Sequence, residues 1–417
     1  MFCTRRDFLK TAVGNSLLVS FAGTTPGLLV RSARTAASQP KKHDTVLIVL
    51  QLTGGNDGLN TIVPYTDDEY AKRRPTLRLP ANELHKINSA LGFHPRMGAL
   101  AKVFQEGYLN IIQGVGYPKM NRDHDGAMRI WHTATPENPE CQTGWIGRTV
   151  DRNGGTKERN TPAVFVGPIA KPFALNAQHA HIPSLQEPQD LTCQHVPVDS
   201  DYFSTYKKLA ELPRREKIDL LKFIQQTTTQ AYLNNQKIQQ TIRSFSRKFP
   251  YPSSKLAGDM CTVAQLIRAE IGIRIYFVEL GGGGIGGFDN HANQKGNHCA
   301  LLHQLSEAIG AFVQDMKQSK LLDRVLLMTF SEFGRTLREN GRRGTGHGAG
   351  APIFVAGGKV KPGLTGAHPS LTDLDNGALK FHTDFRQVYA TLLERWLGFD
   401  SRIPLGKTFQ PLDILQA

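Results

Sequence analysis

Two glycine-rich segments of the sequence carry the side chains best suited to bind a divalent metal ion. Asp289 and His291 lie two residues apart after the glycines of 281–287, and glycine lets the backbone approach a ligand closely. His347 lies within 344–350, where the surrounding small residues leave a histidine little to pack against. Carboxylate oxygen and imidazole nitrogen both bind such ions, so these three residues are candidate ligands. The alternative for Asp289 is that it caps the start of a helix.

Further charged residues follow apolar runs of the sequence. Glu332 comes directly after the run 324–330, and Arg335 could bind an anion through two parallel hydrogen bonds. Glu332 and Arg335 could equally form an ion pair on the surface. Asp57 lies in the glycine-rich turn 54–58, where it either stabilises its own loop or contributes a further metal ligand.

A polar cluster at 121–125 precedes the predicted helix 126–133. Helix N-termini attract anions, because their backbone N–H groups are unpaired and the helix dipole is positive there. Asp123 and His124 therefore have three roles open to them: metal ligand, catalytic acid or base, or helix cap. We take both as candidate catalytic residues, together with Arg335.

The elements that must position these residues are strands that alternate with helices. Near-continuous apolar runs with β-branched residues at 44–52, 109–116, 271–280, 324–330 and 352–356 predict buried strands. Amphipathic segments at 297–318 and 383–397 predict helices. This alternation predicts an α/β fold with a mostly parallel sheet and helices on both faces. Ligands bind at the carboxyl ends of such strands, so we expect the turn after Leu52, Asp289, Glu332 and His347 to share one edge.

The N-terminus predicts export. Arg5 and Arg6 stand before Phe8 and Leu9, and a modest apolar stretch broken by glycines follows to about residue 30. We interpret 1–37 as a twin-arginine signal peptide, read by the twin-arginine translocase, with a short membrane anchor as the alternative. No later stretch is apolar and long enough to cross a bilayer. Residues 38–417 are thus predicted to be a periplasmic or secreted domain, with no stable membrane span after cleavage.

The composition is basic, with a formal net charge of +14. The basic residues are scattered and form no nucleic-acid-binding motif, so we expect no nucleic-acid partner. The charge could instead attract phosphate, sulfate or an acidic polysaccharide. A Gln- and Lys-rich stretch at about 201–255 is predicted to be a helical insertion. Four cysteines remain after residue 37, and they allow three disulfide pairings.

Several motifs together resemble a known family. The chain resembles the secreted bacterial family called domain of unknown function 1501, which is similar to the alkaline phosphatase and sulfatase superfamily. The motifs that carry the resemblance are Gly-Gly-Asn-Asp-Gly at 54–58, Asn-Arg-x-His at 121–124, Gly-Trp-Ile-Gly-Arg at 144–148, Gly-Phe-Asp-x-His-Ala-Asn-Gln at 287–294, Ser-Glu-Phe-Gly-Arg at 331–335 and Gly-Thr-Gly-His-Gly at 344–348.

The resemblance implies an alkaline-phosphatase-like three-layer sandwich and a metal site. The residues it implies as metal ligands are Asp57, Asp289, His291, Glu332 and His347. The sequence departs from the family pattern at Asp123, where the pattern has a serine, and at Gly346, where it has an aspartate. It also lacks the Cys/Ser-x-Pro-x-Arg motif of sulfatases.

Two functions from different classes follow from these observations. The first is a metal-dependent hydrolase of phosphate or sulfate esters that uses Zn²⁺, Mn²⁺ or Ca²⁺, with water as the attacking group. The second is a non-catalytic exported protein that binds an anionic ligand or belongs to a surface complex. Metal content and ester turnover distinguish them.

Overall fold

A computed structural model describes residues 45–154, 163–168, 170–180, 182–185, 249–281 and 287–416. The predicted signal peptide, most of the predicted insertion, Cys193 and residues 282–286 lie outside these residues. The strands in chain order are β1 (Val46–Leu52), β2 (Ile62–Val63), β3 (His85–Lys86), β4 (Gly92–Phe93), β5 (Leu109–Gly116), β6 (Ala163–Val166), β7 (Ser184–Leu185), β8 (Ile275–Leu280), β9 (Val325–Phe330), β10 (Arg335–Glu339), β11 (Thr345–His347), β12 (Ala351–Gly357), β13 (Gly363–Thr365), β14 (Leu374–Asp375), β15 (Ala378–Leu379) and β16 (Thr383–Asp384).

The helices lie between these strands, and several begin at a side chain that caps the first turn. Asp123, Ser254 and Asp384 each accept a hydrogen bond from a backbone N–H of the helix that follows them. The α-helices are α1 (Gly58–Thr61), α2 (Asp68–Arg73), α3 (Gly98–Gln105), α4 (His124–Thr133), α5 (Trp145–Gly154), α6 (Lys255–Arg268), α7 (Gln294–Gln318), α8 (Phe385–Ala390) and α9 (Arg402–Leu405), and a π-helical segment (Thr391–Leu397) continues α8.

One nine-stranded sheet forms the centre of the described structure. Its order is β13-β5-β12-β9-β1-β8-β6-β7, and β16 also pairs with β5. All of its pairings are parallel except those of β12, which runs antiparallel to both β5 and β9. The sheet is therefore mostly parallel, as the strand–helix alternation predicts.

The side chains of β1 show how the sheet is covered on both faces. Successive residues of a strand point to opposite faces, and all seven residues of β1 are buried. Ile48 and Leu50 pack in an apolar cluster with side chains of α3, α6 and α7. Leu47 and Val49 pack in a second cluster with side chains of α4, α5 and α8. Helices thus cover both faces, and the predicted three-layer sandwich is confirmed.

The observed elements differ from the predicted ones at several boundaries. The strand predicted at 271–280 begins at Ile275, because Gly272 adopts a left-handed φ of 81° that breaks the extended run. The helix predicted at 383–397 is preceded by β16 and changes from α8 into the π-helical segment. Cys141, Cys261 and Cys299 form no disulfide among the described residues. Within those residues, no helix is both long and apolar enough to cross a membrane.

Two small sheets flank the carboxyl edge of the central sheet. One has the order β11-β10-β15-β14, and the other has the order β2-β4-β3. Because β12 is antiparallel, its first residue lies at the edge where β1, β8 and β9 end. The hairpin of β10 and β11 stands directly between the end of β9 and the start of β12. The fold thereby brings His347 to the same edge as Asp289 and Glu332.

Candidate metal centre

The turn after β1 joins the ends of three strands. The backbone N–H of Thr53 donates to the carbonyl of Leu280 at 2.9 Å, and that of Phe288 donates to the carbonyl of Thr53 at 2.8 Å. The backbone N–H of Gly54 donates to Oε1 of Glu332 at 2.8 Å. Gly54 has a φ of 110°, and a Cβ there would lie 2.6 Å from the backbone nitrogen of Asp289. Only glycine therefore allows the turn to support the Asp289 loop.

Three imidazoles surround one carboxylate oxygen at this edge. Oδ1 of Asp289 lies 2.9 Å from Nε2 of His291, 3.3 Å from Nε2 of His347 and 3.3 Å from Nε2 of His124. The ligand atoms of His124, Asp289 and His347 all lie within 4.8 Å of one another. We call the four residues His124, Asp289, His291 and His347 the His/Asp cluster.

In two of the imidazoles, the nitrogen that points away from Asp289 contacts a hydrogen-bond acceptor. Nδ1 of His124 lies 2.9 Å from Oε1 of Glu332, and Nδ1 of His347 lies 2.6 Å from the carbonyl oxygen of Arg122. A carbonyl oxygen can only accept, so Nδ1 of His347 carries the proton. In the neutral imidazole, Nε2 then presents its lone pair to the cluster. Such an outer acceptor is the usual companion of a metal-binding histidine.

The hydrogen bonds inside the cluster are incomplete without a further group. Nε2 of His124 is buried and makes no hydrogen bond among the described residues. Nε2 of His291 lies 2.8 Å from Nε2 of His347. A single proton on one of these two nitrogens can be donated to the other nitrogen or to Asp289, but not to both. A divalent cation between these atoms would satisfy all the lone pairs at once. Three imidazole nitrogens and one carboxylate oxygen therefore fit a metal ion of the zinc type.

The electrostatics of the cluster favour a charged Asp289. Burial raises the pKa of Asp289, but the hydrogen bond and the charge of Arg335 outweigh this effect and lower the pKa to about 2. The Glu332 hydrogen bond raises the pKa of His124, against the opposing effect of burial. Burial lowers the pKa of His291, so this imidazole is held in the neutral form that binds metals.

Arg335 is a buried residue whose hydrogen bonds support the cluster. Its side chain is fully buried, and it donates to the carbonyl oxygens of Gly54, Gly55 and Phe288 as well as to Oδ1 of Asp289. The side chain is fully buried, and its Nε and Nη2 already donate to these acceptors, so contacts within the protein replace the anion contact that the sequence suggested for Arg335. Its observed role is to join the turn after β1 to the loop that carries Asp289.

Asp57 lies outside the His/Asp cluster. Its oxygens accept from Arg74 Nη1 at 2.5 Å and Nη2 at 3.0 Å, and it also accepts from the side-chain amide of Gln294. Burial raises the pKa of Asp57, but the charge and hydrogen bond of Arg74 lower it to about 2. The expectation that Asp57 is a metal ligand is thus replaced by a buried ion pair. Arg74 continues to the carbonyl oxygens of Thr336 and Leu337 on β10.

Asp123 takes the third of the roles open to it. Its Oδ2 accepts from the backbone N–H of Gly126 at 3.0 Å, so the side chain caps α4 while remaining exposed. Its neighbour His124, the first residue of α4, joins the cluster instead.

Sequence reasoning missed three partners of the site. The Arg122 carbonyl behind His347 has no signature, because any residue supplies a carbonyl. Arg74 lies on a different element from Asp57, and the sequence between them contains no signal that joins the two. Phe333 stacks on His347 with ring centroids 4.7 Å apart, and its position within the Ser-Glu-Phe-Gly-Arg motif was the only hint.

The chain is similar to several solved structures at low sequence identity. Solved structures similar to this chain include a protein of the alkaline phosphatase superfamily from Vibrio parahaemolyticus, at 12% identity, a TM-score of 0.38, and coverage of 91% of this chain and 76% of the other. The PsFucS1 sulfatase from Pseudoalteromonas sp. has 11% identity, a TM-score of 0.40, and coverage of 92% and 74%. The lipoteichoic acid synthase LtaP from Listeria monocytogenes has 9% identity, a TM-score of 0.38, and coverage of 89% and 77%.

A sequence search of curated proteins finds no match. A family model described as "Protein of unknown function (DUF1501)" matches residues 252–403, which include α6, α7 and the strands from β8 to β16. Asp289, His291, Glu332 and His347 all lie within this match. The resemblance to the DUF1501 family is therefore confirmed for residues 252–403 of the chain.

Proposed function

We propose that this chain is a metal-dependent hydrolase of phosphate or sulfate esters. The observation that carries the proposal is the convergence of three imidazole nitrogens on Oδ1 of Asp289, with outer acceptors behind His124 and His347. A purely structural histidine would be satisfied by a single backbone partner and packed against apolar neighbours. The cluster lies at the carboxyl edge of a mostly parallel sheet, the usual place for ligands in such folds.

The four side chains of the cluster would hold the ion. When bound, a divalent ion polarises an ester oxygen and makes water a better nucleophile. Asp289 brings the negative charge that offsets the ion, and Arg335 keeps this carboxylate ionised. Glu332 fixes the imidazole of His124 in the orientation that points Nε2 inward. His124 also begins the ten-residue helix α4, whose positive end favours an anionic group beside it.

Zn²⁺ and Mn²⁺ suit this cluster better than Ca²⁺. Ca²⁺ takes six to eight oxygen ligands, whereas three of the four donors here are imidazole nitrogens. Zn²⁺ accepts nitrogen and oxygen in four-coordinate sites. Water is the attacking group in this proposal, since Asp123 offers no hydroxyl beside the cluster.

We also propose that residues 1–37 are a twin-arginine signal and that the domain acts in the periplasm or outside the cell. The support is the Arg5-Arg6 pair before Phe8-Leu9. Replacing both arginines by lysine should leave the protein in the cytoplasm. Normal export of that double variant would contradict the assignment.

The second candidate is a non-catalytic protein that binds an anionic ligand. The observation that favours it is Asp123, which caps α4 where the family pattern carries a serine. Such a protein would keep the fold and the ion while lacking turnover.

Metal analysis and turnover together test both candidates. The wild type, His291→Ala, His347→Ala and the control His303→Ala would be purified, reconstituted with Zn²⁺ or Mn²⁺ and analysed for metal content. His303 is exposed on α7 and is not a member of the cluster. We expect stoichiometric metal in the wild type and the control only, with turnover of 4-nitrophenyl phosphate or sulfate. Metal without turnover would favour the binding protein, and a wild type without metal would overturn the hydrolase.

A further inference from the structure

A tight turn at residues 340–344 joins β10 to β11 and lies against the His/Asp cluster. The side chain of Asn340 organises it, because Oδ1 accepts from the backbone N–H of Arg342 at 2.9 Å and of Gly344 at 3.1 Å. Arg343 has a φ of 56°, a left-handed conformation that L-residues seldom adopt. The turn therefore presents two consecutive arginines in a defined backbone conformation.

The backbone of this turn is tied to the segment that carries His291. Asn293 and Gln294 donate their N–H groups to the carbonyls of Arg342 and Arg343, each at 3.0 Å. Nδ2 of Asn340 donates to the carbonyl of His291 at 2.9 Å. A Cβ at residue 344 would lie 2.2 Å from the carbonyl carbon of His291, so only glycine permits this contact. The position of the turn is thus coupled to that of His291.

The two arginines differ from the other arginines around the site. Arg74, Arg122 and Arg335 are each paired with a carboxylate. Arg342 and Arg343 are exposed, and neither forms an ion pair with any described residue. The backbone carbonyl of Arg342 accepts from the N–H of Asn293, two residues after His291, whereas that of Arg343 accepts from the next residue along, Gln294. Arg342 is therefore a free cation beside the cluster.

We propose that Arg342 determines substrate specificity by binding a second anionic group, so that the substrates are esters whose carrier bears a further phosphate, sulfate or carboxylate. This inference rests on the proposed hydrolase function. A guanidinium suits these groups because it offers paired donors that match their oxygens. The guanidinium of Arg335 cannot serve this purpose, because its side chain is fully buried. A sulfated or phosphorylated polysaccharide, with anionic groups on successive units, has the required chemistry.

Non-hydrolysable ligands test the inference without relying on turnover. The probes are phenylphosphonate and its 3- and 4-carboxy derivatives, titrated calorimetrically into the reconstituted protein. We expect the wild type to bind one of the carboxy derivatives at least about tenfold more tightly than phenylphosphonate, since hydrogen bonds to charged groups are strong. Arg342→Gln should remove this preference and leave phenylphosphonate binding unchanged.

The matched control is Arg343→Asn, which removes the same charge from the same turn. Asparagine tolerates the left-handed conformation at this position, so the turn should persist. The control should keep the preference for the carboxy derivative. Equal loss in both variants, or a wild type that binds all three phosphonates equally, would overturn the role of Arg342 and leave the hydrolase proposal standing. A reconstituted wild type that binds none of the phosphonates and hydrolyses no ester would overturn both.

Discussion

Oε1 of Glu332 accepts from Nδ1 of His124 at 2.9 Å while it also accepts from the backbone N–H of Gly54 at 2.8 Å. One carboxylate oxygen thus joins the end of β9, the turn after β1 and the first residue of α4. Glu332 is 1% exposed, so its charge is poorly screened and acts strongly on His124. The sequence suggested Glu332 as a metal ligand, whereas in the structure it holds the orientation of the His124 imidazole.

We predict that substitutions of Glu332 weaken zinc binding, and that losing both the charge and the acceptor for His124 weakens it more than losing the charge alone. Glu332→Gln keeps an oxygen for His124 but loses the charge, so it should weaken affinity by about tenfold. Glu332→Ala loses both and should weaken affinity by about a hundredfold. Competition with a chromophoric chelator measures these changes. The control is Glu339→Gln, because Glu339 accepts from the backbone of Thr76 and Leu77 instead. Unchanged affinity in both Glu332 variants would contradict the assignment.

We predict that Arg335→Lys destabilises the fold. Lysine cannot reach the carbonyls of Gly54, Gly55 and Phe288 together, so buried acceptors would be left unpaired. The free energy of unfolding should fall by about 3 kcal/mol. Arg338→Lys, on the exposed side of β10, should change it by less than about 0.5 kcal/mol. Urea unfolding followed by circular dichroism compares the two, and equal stabilities would show that the hydrogen bonds of Arg335 contribute little.

We predict that the Asp57–Arg74 pair makes stability depend on acid pH. The pKa of Asp57 is lowered from 3.8 to about 2 in the folded state, so its contribution is complete above the unfolded value. The contribution is about 2 kcal/mol at neutral pH and is lost as pH falls from about 4 towards 2. Asp57→Asn should therefore lower the free energy of unfolding by about 3–5 kcal/mol at neutral pH. Near pH 2.5 this loss should be smaller by more than about 1 kcal/mol.

The same Asp57→Asn variant separates a structural role from metal binding. Because Asp57 does not contact the His/Asp cluster, the folded variant should retain stoichiometric metal at neutral pH. Loss of the metal from a variant that is still folded would return Asp57 to the set of ligands. An identical stability difference at both pH values would count against the ion pair as the cause.

We predict that residue 123 has separable effects on stability and turnover. Asp123→Ala removes the cap of α4 and should cost about 1 kcal/mol, whereas Asp123→Ser keeps a capping oxygen and should cost little. The serine also places a hydroxyl beside His124, so turnover of 4-nitrophenyl phosphate should rise above that of the wild type. Thermal unfolding and steady-state kinetics measure the two effects. Turnover that is no higher with serine would argue against a missing nucleophile.

Much of the fold could be predicted because its strands are buried on both faces. β1, β5 and β9 read as near-continuous apolar runs, and such runs are typical of central strands in parallel sheets. The antiparallel direction of β12 could not be predicted, since an apolar run carries no information on the direction of its partner. The start of β8 at Ile275, later than the apolar run predicted, depends on the backbone conformation of Gly272.

The convergence of Asp289, Glu332 and His347 could be expected because strand ends meet at one edge of a sheet. Their individual roles could not be predicted, because these roles depend on differences in distance of a few tenths of an ångström. Asp57 and Glu332 both follow apolar strands, yet Arg74 engages the first and His124 the second. Local sequence contains neither partner. The same limit applies to Arg335, whose acceptors are mostly carbonyl oxygens and so leave no trace in residue type.

The histidines of the cluster lie far apart in the chain, and His347 is the last of them to be synthesised. A nascent chain that stops before β11 lacks this imidazole, and with it the hairpin that packs against His291. The proposed metal centre can therefore be complete only after translation has passed this point. Under the export after folding proposed above, the compartment in which folding is completed would decide which ion pool fills the centre.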